Sequence, residues 1–236
     1  MNASKGENSS RAFIRCGASG PVCGVAYHSQ VSQYLEIHPA NPQQRLVRKA
    51  ADCIRDGGVI AYPTDSCYAL GCRVGDKDAL ERVRRIRQAD KNHHFTLVCR
   101  DLSEIARYAR VETWQFRILK ACTPGAYTFL LPATKETPRM LQHPKRRTIG
   151  IRVPNHPVPR MLLEELGGPL MSSTLLLPGD ELPLTDGKEI QARLDHQLDA
   201  ILDAGHCGID PTTVVDLVVS PPVVVRHGRG DLAPFA

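Results

Sequence analysis

Short apolar segments alternate with amphipathic segments along most of the chain, and most of the apolar segments stop at a Pro or Gly. Val59 to Tyr62 runs into Pro63, and Ile149 to Val153 runs into Pro154. Between such segments, apolar residues recur at the spacing of one helix face, as in residues 42–55. Strands interspersed with helices predict an α/β protein, specifically an α+β twisted mixed sheet with flanking helices.

The same patterns predict the positions of the individual elements. Helices are expected at Pro42–Arg55, from Asp76 onward, and at Leu102–Tyr108, Trp114–Cys122, Val158–Leu166 and Lys188–His196. Strands are expected near Val59–Tyr62, Tyr68–Val74, Phe95–Cys99, Tyr127–Leu131, Ile149–Val153, Leu170–Thr174, Ala200–Leu202, Thr213–Leu217 and Val223–Arg226. Asn41 is expected to cap the first helix, and Gly57-Gly58 to end it.

Residues 1–31 differ from the rest, because they are rich in Ser, Gly and Asn and show neither a helical nor a strand period. They predict a disordered leader, or a start assigned too early, with translation beginning at Val31. Residues 32–236 contain no Ser- or Pro-rich linker and predict a single domain.

Composition restricts the compartment and the partners. No stretch approaches the roughly 18 consecutive apolar residues of a membrane span, so no membrane association is expected. Eight cysteines contain no C-x-x-C pair, and they predict free thiols in a reducing, cytoplasmic compartment. The histidines lack metal-ligand spacing, so no metal site is predicted. The net charge of +5 suits an anionic small ligand or weak contact with RNA, although many proteins carry as much with neither.

Four arginines are candidates for binding an anion. Arg85 and Arg87 lie two positions apart on a predicted helix, so they converge only if the helix unwinds near Arg87. Arg152 ends a strand before Pro154, and Arg226 follows three valines. The planar guanidinium suits phosphate because it donates two hydrogen bonds at once. The alternative is a solvated basic face for the first pair and surface ion pairs for the other two.

Two polar segments follow predicted strands, Thr64-Asp65-Ser66 and Ser172-Ser173-Thr174. Both could place hydroxyl groups beside a ligand, and both could equally be structural. The sequence contains no Gly-x-x-x-x-Gly-Lys loop, no Gly-x-Gly-x-x-Gly loop and no Gly-x-Ser-x-Gly elbow.

Taken in order, these segments resemble the YrdC/YciO family over about residues 32–236. Residues 63–71 are similar to the family's Pro-Thr-(Asp/Glu)-Thr-x-(Tyr/Phe)-Gly-Leu-Gly, Arg85-Ile86-Arg87 to its Lys-x-Arg, and residues 124–128 to its Pro-Gly-x-x-Thr. Residues 149–156 resemble its strand-Arg-Pro-His stretch, and residues 172–176 its Ser-Thr-Ser-x-Asn. Residues 212–216 and 225–228 resemble its closing Thr-Val-Val-Asp and Arg-x-Gly.

The resemblance implies a YrdC/RibB-like single domain that makes threonylcarbamoyl-adenylate and pyrophosphate from ATP, L-threonine and bicarbonate, with Mg2+ bound through the nucleotide phosphates. By the same resemblance, Arg85, Arg87 and Arg152 are the catalytic residues. Residues that shape the threonine side are Thr64, Tyr68 and Thr128, and those on the nucleotide side are Ser172, Thr174 and Arg226. Proteins that modify tRNA would use the product.

Three departures from the family pattern indicate the YciO branch and weak synthase activity. Arg85 stands where the family has Lys, and Leu176 stands where it has Asn. Leucine makes no side-chain hydrogen bond, and a lost polar contact costs about 1–3 kcal/mol. Residues 90–94 also lengthen the usual spacer. The paralogue could instead act on a different acyl or nucleotide substrate.

The alternative function is a protein that binds double-stranded RNA or tRNA without synthase turnover. Phosphate contacts would come from a basic concave face. The residues expected to form it are Arg82, Arg84, Arg85, Arg87, Lys145, Arg146 and Arg147. Aromatic residues make up only 5% of the chain, so contact would be to the RNA backbone rather than by base stacking.

Overall fold

A ten-stranded mixed sheet runs through the computed structural model, which describes residues 31–89 and 95–235. The predicted leader lies outside these ranges except for Val31. The strands are β1 (Gln33–Glu36), β2 (Ile60–Tyr62), β3 (Ala69–Arg73), β4 (Thr96–Val98), β5 (Tyr127–Pro132), β6 (Thr148–Arg152), β7 (Leu170–Thr174), β8 (Ala200–Asp203), β9 (Thr213–Asp216) and β10 (Val223–Arg226).

The strand order is β1-β8-β2-β3-β7-β4-β6-β5-β9-β10, so neighbours in the sheet are mostly distant in sequence. Parallel pairs join β1 to β8, β2 to β8, β4 to β6 and β5 to β9. The other pairs are antiparallel. This topology confirms the predicted twisted mixed sheet.

The helices of the described ranges are α1 (Gln44–Arg55), α2 (Lys77–Arg87), α3 (Leu102–Tyr108), α4 (Thr113–Cys122), α5 (Pro157–Leu166) and α6 (Gly187–Leu194). Helix α2 begins where the sequence predicts, because the Asp76 carboxylate accepts the backbone N–H of Ala79 at 2.9 Å. Helix α5 ends at Gly167 in the left-handed conformation, which glycine adopts without strain.

Two predictions about the first part of the chain are wrong or incomplete. Asn41 does not cap α1, because the helix begins after Gln43, whose side chain accepts the N–H of His38 instead. The backbone N–H groups of Ala40 and Asn41 point to the His38 ring. Strand β1 was missed, since its burial depends on pairing with β8, which is more than 160 residues away.

The sheet packs on both faces, in two separate apolar clusters. Helices α2, α3 and α4 cover the larger cluster, to which the central strands contribute Leu97, Phe129, Ile151 and Met171. Helices α1 and α5 cover the smaller cluster on the other face, over β1, β8, β2 and β3. No helix of the described ranges is long and apolar enough to cross a membrane.

Candidate functional site

Polar side chains cover the sheet face opposite the larger apolar cluster, where α1 and α5 do not reach. Because Phe129, Ile151 and Met171 point into that cluster, their strand neighbours Thr128, Arg152 and Ser172 point the other way. Gly150 has no side chain and so leaves space on this face. A Cβ at this position would lie 3.3 Å from the Thr128 methyl and 3.6 Å from the Thr96 hydroxyl. We call this surface the polar face.

The 63–67 turn, which connects β2 to β3, lies against the polar face. The hydroxyl of Thr64 donates to the Cys67 carbonyl at 2.7 Å and accepts the Ser66 N–H at 3.1 Å, so it closes the turn on itself. The Asp65 carboxylate pairs with Arg152 and accepts the backbone N–H of Asn155 at 3.0 Å. The turn is therefore fixed to the end of β6.

The side chain of Arg152 is buried and only partly satisfied. The residue is 7% exposed, and its Nη1 lies 3.4 Å from the Ser66 hydroxyl. Its Nε is buried and has no hydrogen-bond partner in the described part of the chain. A buried donor left without an acceptor costs about 1–3 kcal/mol. This N–H can be satisfied by an oxyanion that enters the polar face.

Arg226 reaches the same surface from β10, at the edge of the sheet. Its Nε and Nη2 donate to the carbonyl of Thr212 at 3.2 and 2.9 Å, and Nη2 also contacts the Thr212 hydroxyl at 3.2 Å. That hydroxyl lies 2.8 Å from the hydroxyl of Thr128. Within residues 31–89 and 95–235, no carboxylate pairs with Arg226.

Arg87 approaches from the end of α2. Its Nη1 donates to the Ser173 hydroxyl at 2.7 Å, and its Nε donates to the Leu176 carbonyl at 3.2 Å. The helix stays regular through Arg87 and ends at Gln88, whose φ is 44°. The unwinding needed for Arg85 and Arg87 to converge is therefore not observed. Arg85 is exposed, about 200° around the helix from Arg87.

Arg226 lies close enough to both Arg87 and Arg152 for the positive charges to interact, and each of the three guanidinium groups interacts with the thiol of Cys67. Burial lowers the pKa of Arg87, and the positive charge of Arg226 lowers it further. Burial likewise lowers the pKa of Arg226, with Arg152 adding to the effect. Burial raises the pKa of Cys67, against the opposing effects of Ser66, Arg152, Thr174 and Arg226. We call these three arginines, with Cys67 and Thr174, the arginine cluster.

Two predicted residues have their hydroxyl groups engaged by the protein. The hydroxyl of Tyr68 donates to the Gly205 carbonyl at 2.9 Å and to Asp203 at 3.2 Å, and burial raises its pKa. The hydroxyl of Ser172 lies 2.7 Å from that of Tyr62, whose pKa burial raises to about 12. Ser172 is on the polar face, but its neighbour Ser173 is the one that contacts Arg87.

Three residues that the sequence analysis did not select take part in this geometry: Asp65, Ser173 and Thr212. Ser173 could have been separated from Ser172, because successive side chains of a strand point to opposite faces. Asp65 stands in the quoted turn, but nothing local indicates its partner 87 residues away. Thr212 carries no signal of its own, since its contacts to Thr128 and Arg226 depend on tertiary structure alone.

A cleft of about 550 Å3 opens beside the 63–67 turn. It is lined by residues from the ends of several strands, including Thr64, Asp65, Asn155, His156 and Arg229. The Nδ1 of His156 accepts the Val158 N–H at 3.2 Å, which leaves its proton on Nε2. Burial lowers the pKa of His156, so the ring is neutral near pH 7. The cleft and the arginine cluster share the 63–67 turn.

Several of the residues proposed for a basic RNA-binding face form ion pairs with carboxylates, while others are exposed. Arg82 pairs with Asp199 at 2.8 Å, and Arg146 pairs with Asp216 at 2.6 Å. Arg84 lies 3.5 Å from Glu81 and stacks over the ring of Phe95. Lys145 and Arg147 are exposed at the surface. RNA binding remains a prediction.

The chemistry of the arginine cluster does not fit a resident divalent cation. Guanidinium groups and hydroxyls surround it, and the carboxylate of Asp65 is already paired with Arg152. In the described residues, no group of three or more His, Cys, Asp or Glu side chains could hold a metal. Binding of Mg2+ through the phosphates of a nucleotide remains a prediction. The lengthened spacer at residues 90–94 lies outside the described ranges.

The chain is similar in sequence to known proteins over the segments that contain these site residues. Residues 52–228 match the family model of Sua5, YciO and YrdC proteins, which carries the description "Telomere recombination". Over 205 residues the chain is 54% identical to YciO of Escherichia coli, an uncharacterized protein; the match covers 87% of this chain and 100% of YciO. Over 169 residues it is 33% identical to a threonylcarbamoyl-AMP synthase of Coxiella burnetii, covering 66% of this chain and 84% of the synthase.

Solved structures show the same relationship. The crystal structure of E. coli YciO matches with a TM-score of 0.84, covering 87% of this chain and 100% of YciO. P. abyssi Sua5, in a complex with L-threonine, matches with a TM-score of 0.77 at 24% identity, covering 84% of this chain and 58% of Sua5. At that identity the likeness to Sua5 concerns the fold alone.

Proposed function

The chain belongs to the Sua5/YciO/YrdC family, and we propose that it is a threonylcarbamoyl-adenylate synthase of low activity. Its substrates would be ATP, L-threonine and bicarbonate, and its products threonylcarbamoyl-AMP and pyrophosphate. The 33% identity to a threonylcarbamoyl-AMP synthase supports the reaction class. The higher identity to YciO, 54%, supports a separate branch of the family.

The observation that carries the proposal is the convergence of Arg87, Arg152 and Arg226. Arg152 is buried, Arg87 is half-buried, and Arg226 is exposed at the edge of the sheet. The positive charge of Arg226 acts on Arg87, and that of Arg152 acts on Arg226, so an anion that binds beside them relieves this repulsion. The Nε of Arg152 is a buried donor with no hydrogen-bond partner in the described residues. A nucleotide phosphate, or the carboxylate of an amino acid, meets both requirements.

The reaction needs two bond-forming steps and no covalent enzyme intermediate. Bicarbonate takes up a proton and loses water to give carbon dioxide. The amine of threonine then attacks the carbon of carbon dioxide, which gives a carbamate and releases a proton. A carbamate oxygen then attacks the α-phosphorus of ATP, and the bond to the β-phosphate oxygen breaks to release pyrophosphate. The protein would contribute chiefly position and charge. Arg87, Arg152 and Arg226 would hold the phosphate oxygens as charge builds on them.

The arrangement of hydroxyl groups supports a division of the site. Thr64 lines the cleft beside the turn, and Thr128 lies beside Thr212 on the polar face. These two would contact threonine, while Tyr68 would shape the site through its buried ring. Thr174 and Arg226 would contact the nucleotide, and Ser172 would support the nucleotide side indirectly, by holding the buried hydroxyl of Tyr62. Arg85, on the exposed side of α2, would act on the outer phosphates.

The low rate is proposed because of Leu176. Its carbonyl accepts Arg87, but its side chain cannot make the hydrogen bond of the Asn in the quoted family motif. The loss of one such contact costs about 1–3 kcal/mol, or one to two decades in rate. The labile product would pass to proteins that modify tRNA.

A product assay tests the proposal directly. ATP, Mg2+, L-threonine and bicarbonate are incubated with the protein, and threonylcarbamoyl-AMP is detected by mass spectrometry alongside released pyrophosphate. We expect a small amount of product from the parent and none above background from Arg87→Ala. Absence of both products, from protein shown to be folded, would refute the synthase function. Salt-sensitive tRNA binding in that protein would then support the alternative.

A further inference from the structure

The carboxylate of Asp65 connects the 63–67 turn to the anion-binding face through two different partners. One oxygen pairs with Nη2 of Arg152, and the other accepts the backbone N–H of Asn155 at 3.0 Å. Both side chains of the ion pair are about one-tenth exposed. The carboxylate is therefore held in one orientation from two sides, with little access to water.

This arrangement determines the direction of the remaining N–H groups of Arg152. A guanidinium is planar and rigid, so fixing Nη2 on Asp65 and Nη1 near the Ser66 hydroxyl also fixes Nε. Nε is the group that has no acceptor in the described residues. A flexible arginine would turn such a group toward water or a carbonyl, but the contacts to Asp65 and Ser66 prevent this.

We propose that Asp65 is the positioning residue of this site, which holds Arg152 so that its Nε–H faces an oxyanion of the bound nucleotide. The inference rests on the proposed function, because it assumes a phosphate-bearing ligand at the arginine cluster. Asp65 itself does not touch the ligand, and it acts only through Arg152. The Asn155 contact keeps the carboxylate in place while the ligand enters and leaves.

A second role for the carboxylate makes the opposite prediction. Asp65 could simply neutralise Arg152, and a negative charge near the site repels an anionic ligand. Under that role, removing the charge would strengthen anion binding. Under the positioning role, removing the charge frees the guanidinium to turn, and anion binding weakens although the site becomes more positive. The sign of the change separates the two roles.

The experiment measures binding of inorganic pyrophosphate and of ATP by calorimetry at constant ionic strength, without turnover. Asp65→Asn keeps an acceptor for the Asn155 N–H but leaves the charge of the buried Arg152 unpaired, so a lower Tm is expected and binding is compared at a temperature at which both proteins are folded. We expect it to weaken pyrophosphate binding about ten-fold, while Asp65→Glu, which restores the charge, stays within about three-fold of the parent. The matched control is Asp52→Asn, which removes an exposed carboxylate paired with Arg55 and leaves binding unchanged.

A double mutant shows whether Asp65 acts through Arg152. Arg152→Lys keeps a positive charge but loses the rigid fork, and it should weaken pyrophosphate binding by a similar factor. In that background Asp65→Asn should add nothing. If Asp65→Asn does not fold, Arg152→Lys alone tests the inference. Unchanged pyrophosphate binding by Arg152→Lys would overturn the claim that an oriented guanidinium at Arg152 binds the anion.

The outcomes separate this inference from the proposed function. Equal or tighter binding by folded Asp65→Asn, or effects that add fully in the double mutant, would overturn the positioning role alone. Failure of the parent to bind pyrophosphate or ATP would overturn the anion site, and the proposed function with it. Anion binding by the parent without threonylcarbamoyl-AMP formation would refute the synthase reaction and leave the positioning role standing.

Discussion

The Nη1 of Arg87 lies 2.7 Å from the hydroxyl oxygen of Ser173, so the end of α2 is attached to the end of β7 by a side chain that also belongs to the arginine cluster. The same guanidinium donates to the Leu176 carbonyl, two residues beyond β7. Arg87 is held by an element 86 residues away in sequence, and its orientation depends on that contact.

The first prediction concerns the charge of Arg87. Arg87→Ala removes one of three converging guanidinium groups, so we expect at least a ten-fold loss of threonylcarbamoyl-AMP formation and weaker ATP binding. Product is measured by mass spectrometry and binding by calorimetry. Arg48→Ala, which removes an exposed arginine paired with Glu165, is the matched control and should retain parental values. Parental activity in Arg87→Ala would contradict the proposed site.

The second prediction separates two adjacent serines. Ser173→Ala removes the acceptor for Arg87 and should weaken ATP binding several-fold with little change in stability. Ser172→Ala leaves the fully buried hydroxyl of Tyr62 without its partner, and should lower the free energy of unfolding by about 1 kcal/mol. Calorimetric titration and denaturant unfolding of both variants check this. The reverse assignment of effects would show that Ser172 is the serine that supports nucleotide binding.

The third prediction is a gain of activity. Leu176→Asn restores the amide of the family motif at a half-buried position beside Arg87, and should raise product formation by about one decade. The initial rate of pyrophosphate release measures the change. Leu182→Asn alters an exposed leucine in the same way and should change nothing. If Leu176→Asn is folded and no faster than the parent, Leu176 is not what limits the rate.

The fourth prediction concerns the dependence of stability on pH. Burial lowers the pKa of His156 below 6.5, although Asp65 opposes the shift. As the pH falls through 6.5, the unfolded chain therefore binds a proton before the folded protein does, and stability decreases. His156→Asn keeps a capping acceptor for Val158 but cannot ionise. The loss of unfolding free energy between pH values above and below 6.5 should be smaller in this variant.

Denaturant unfolding at the two pH values measures that loss. His227→Asn, which removes an exposed histidine, is the control and should behave as the parent does. An equal loss in His156→Asn and the parent would mean that protonation of His156 does not contribute to acid destabilisation.

Local sequence patterns predicted most elements because their causes lie within a few residues of each element. Asp76 caps α2 by accepting the backbone N–H of Ala79, three residues later, and Gly167 ends α5 through its own backbone conformation. Strand β1 and the start of α1 were predicted less well. The first depends on β8, and the second on the contacts that His38 and Gln43 make with each other and with the backbone.

The sequence by itself determined the alternation of strands and helices, the order of the family motifs and the types of residue available to bind an anion. Only the tertiary structure decided which of those residues meet. Pairing of β3 with β7 brings together segments about 100 residues apart, and pairing of β4 with β6 brings together segments about 54 residues apart. The register of each pair, together with the two-residue alternation of side chains, places Arg152 and Ser172 on one face and Ser173 on the other. Arg226 lies within electrostatic reach of both Arg87 and Arg152 only because distant segments pair in this way, and local patterns contain no information about such pairings.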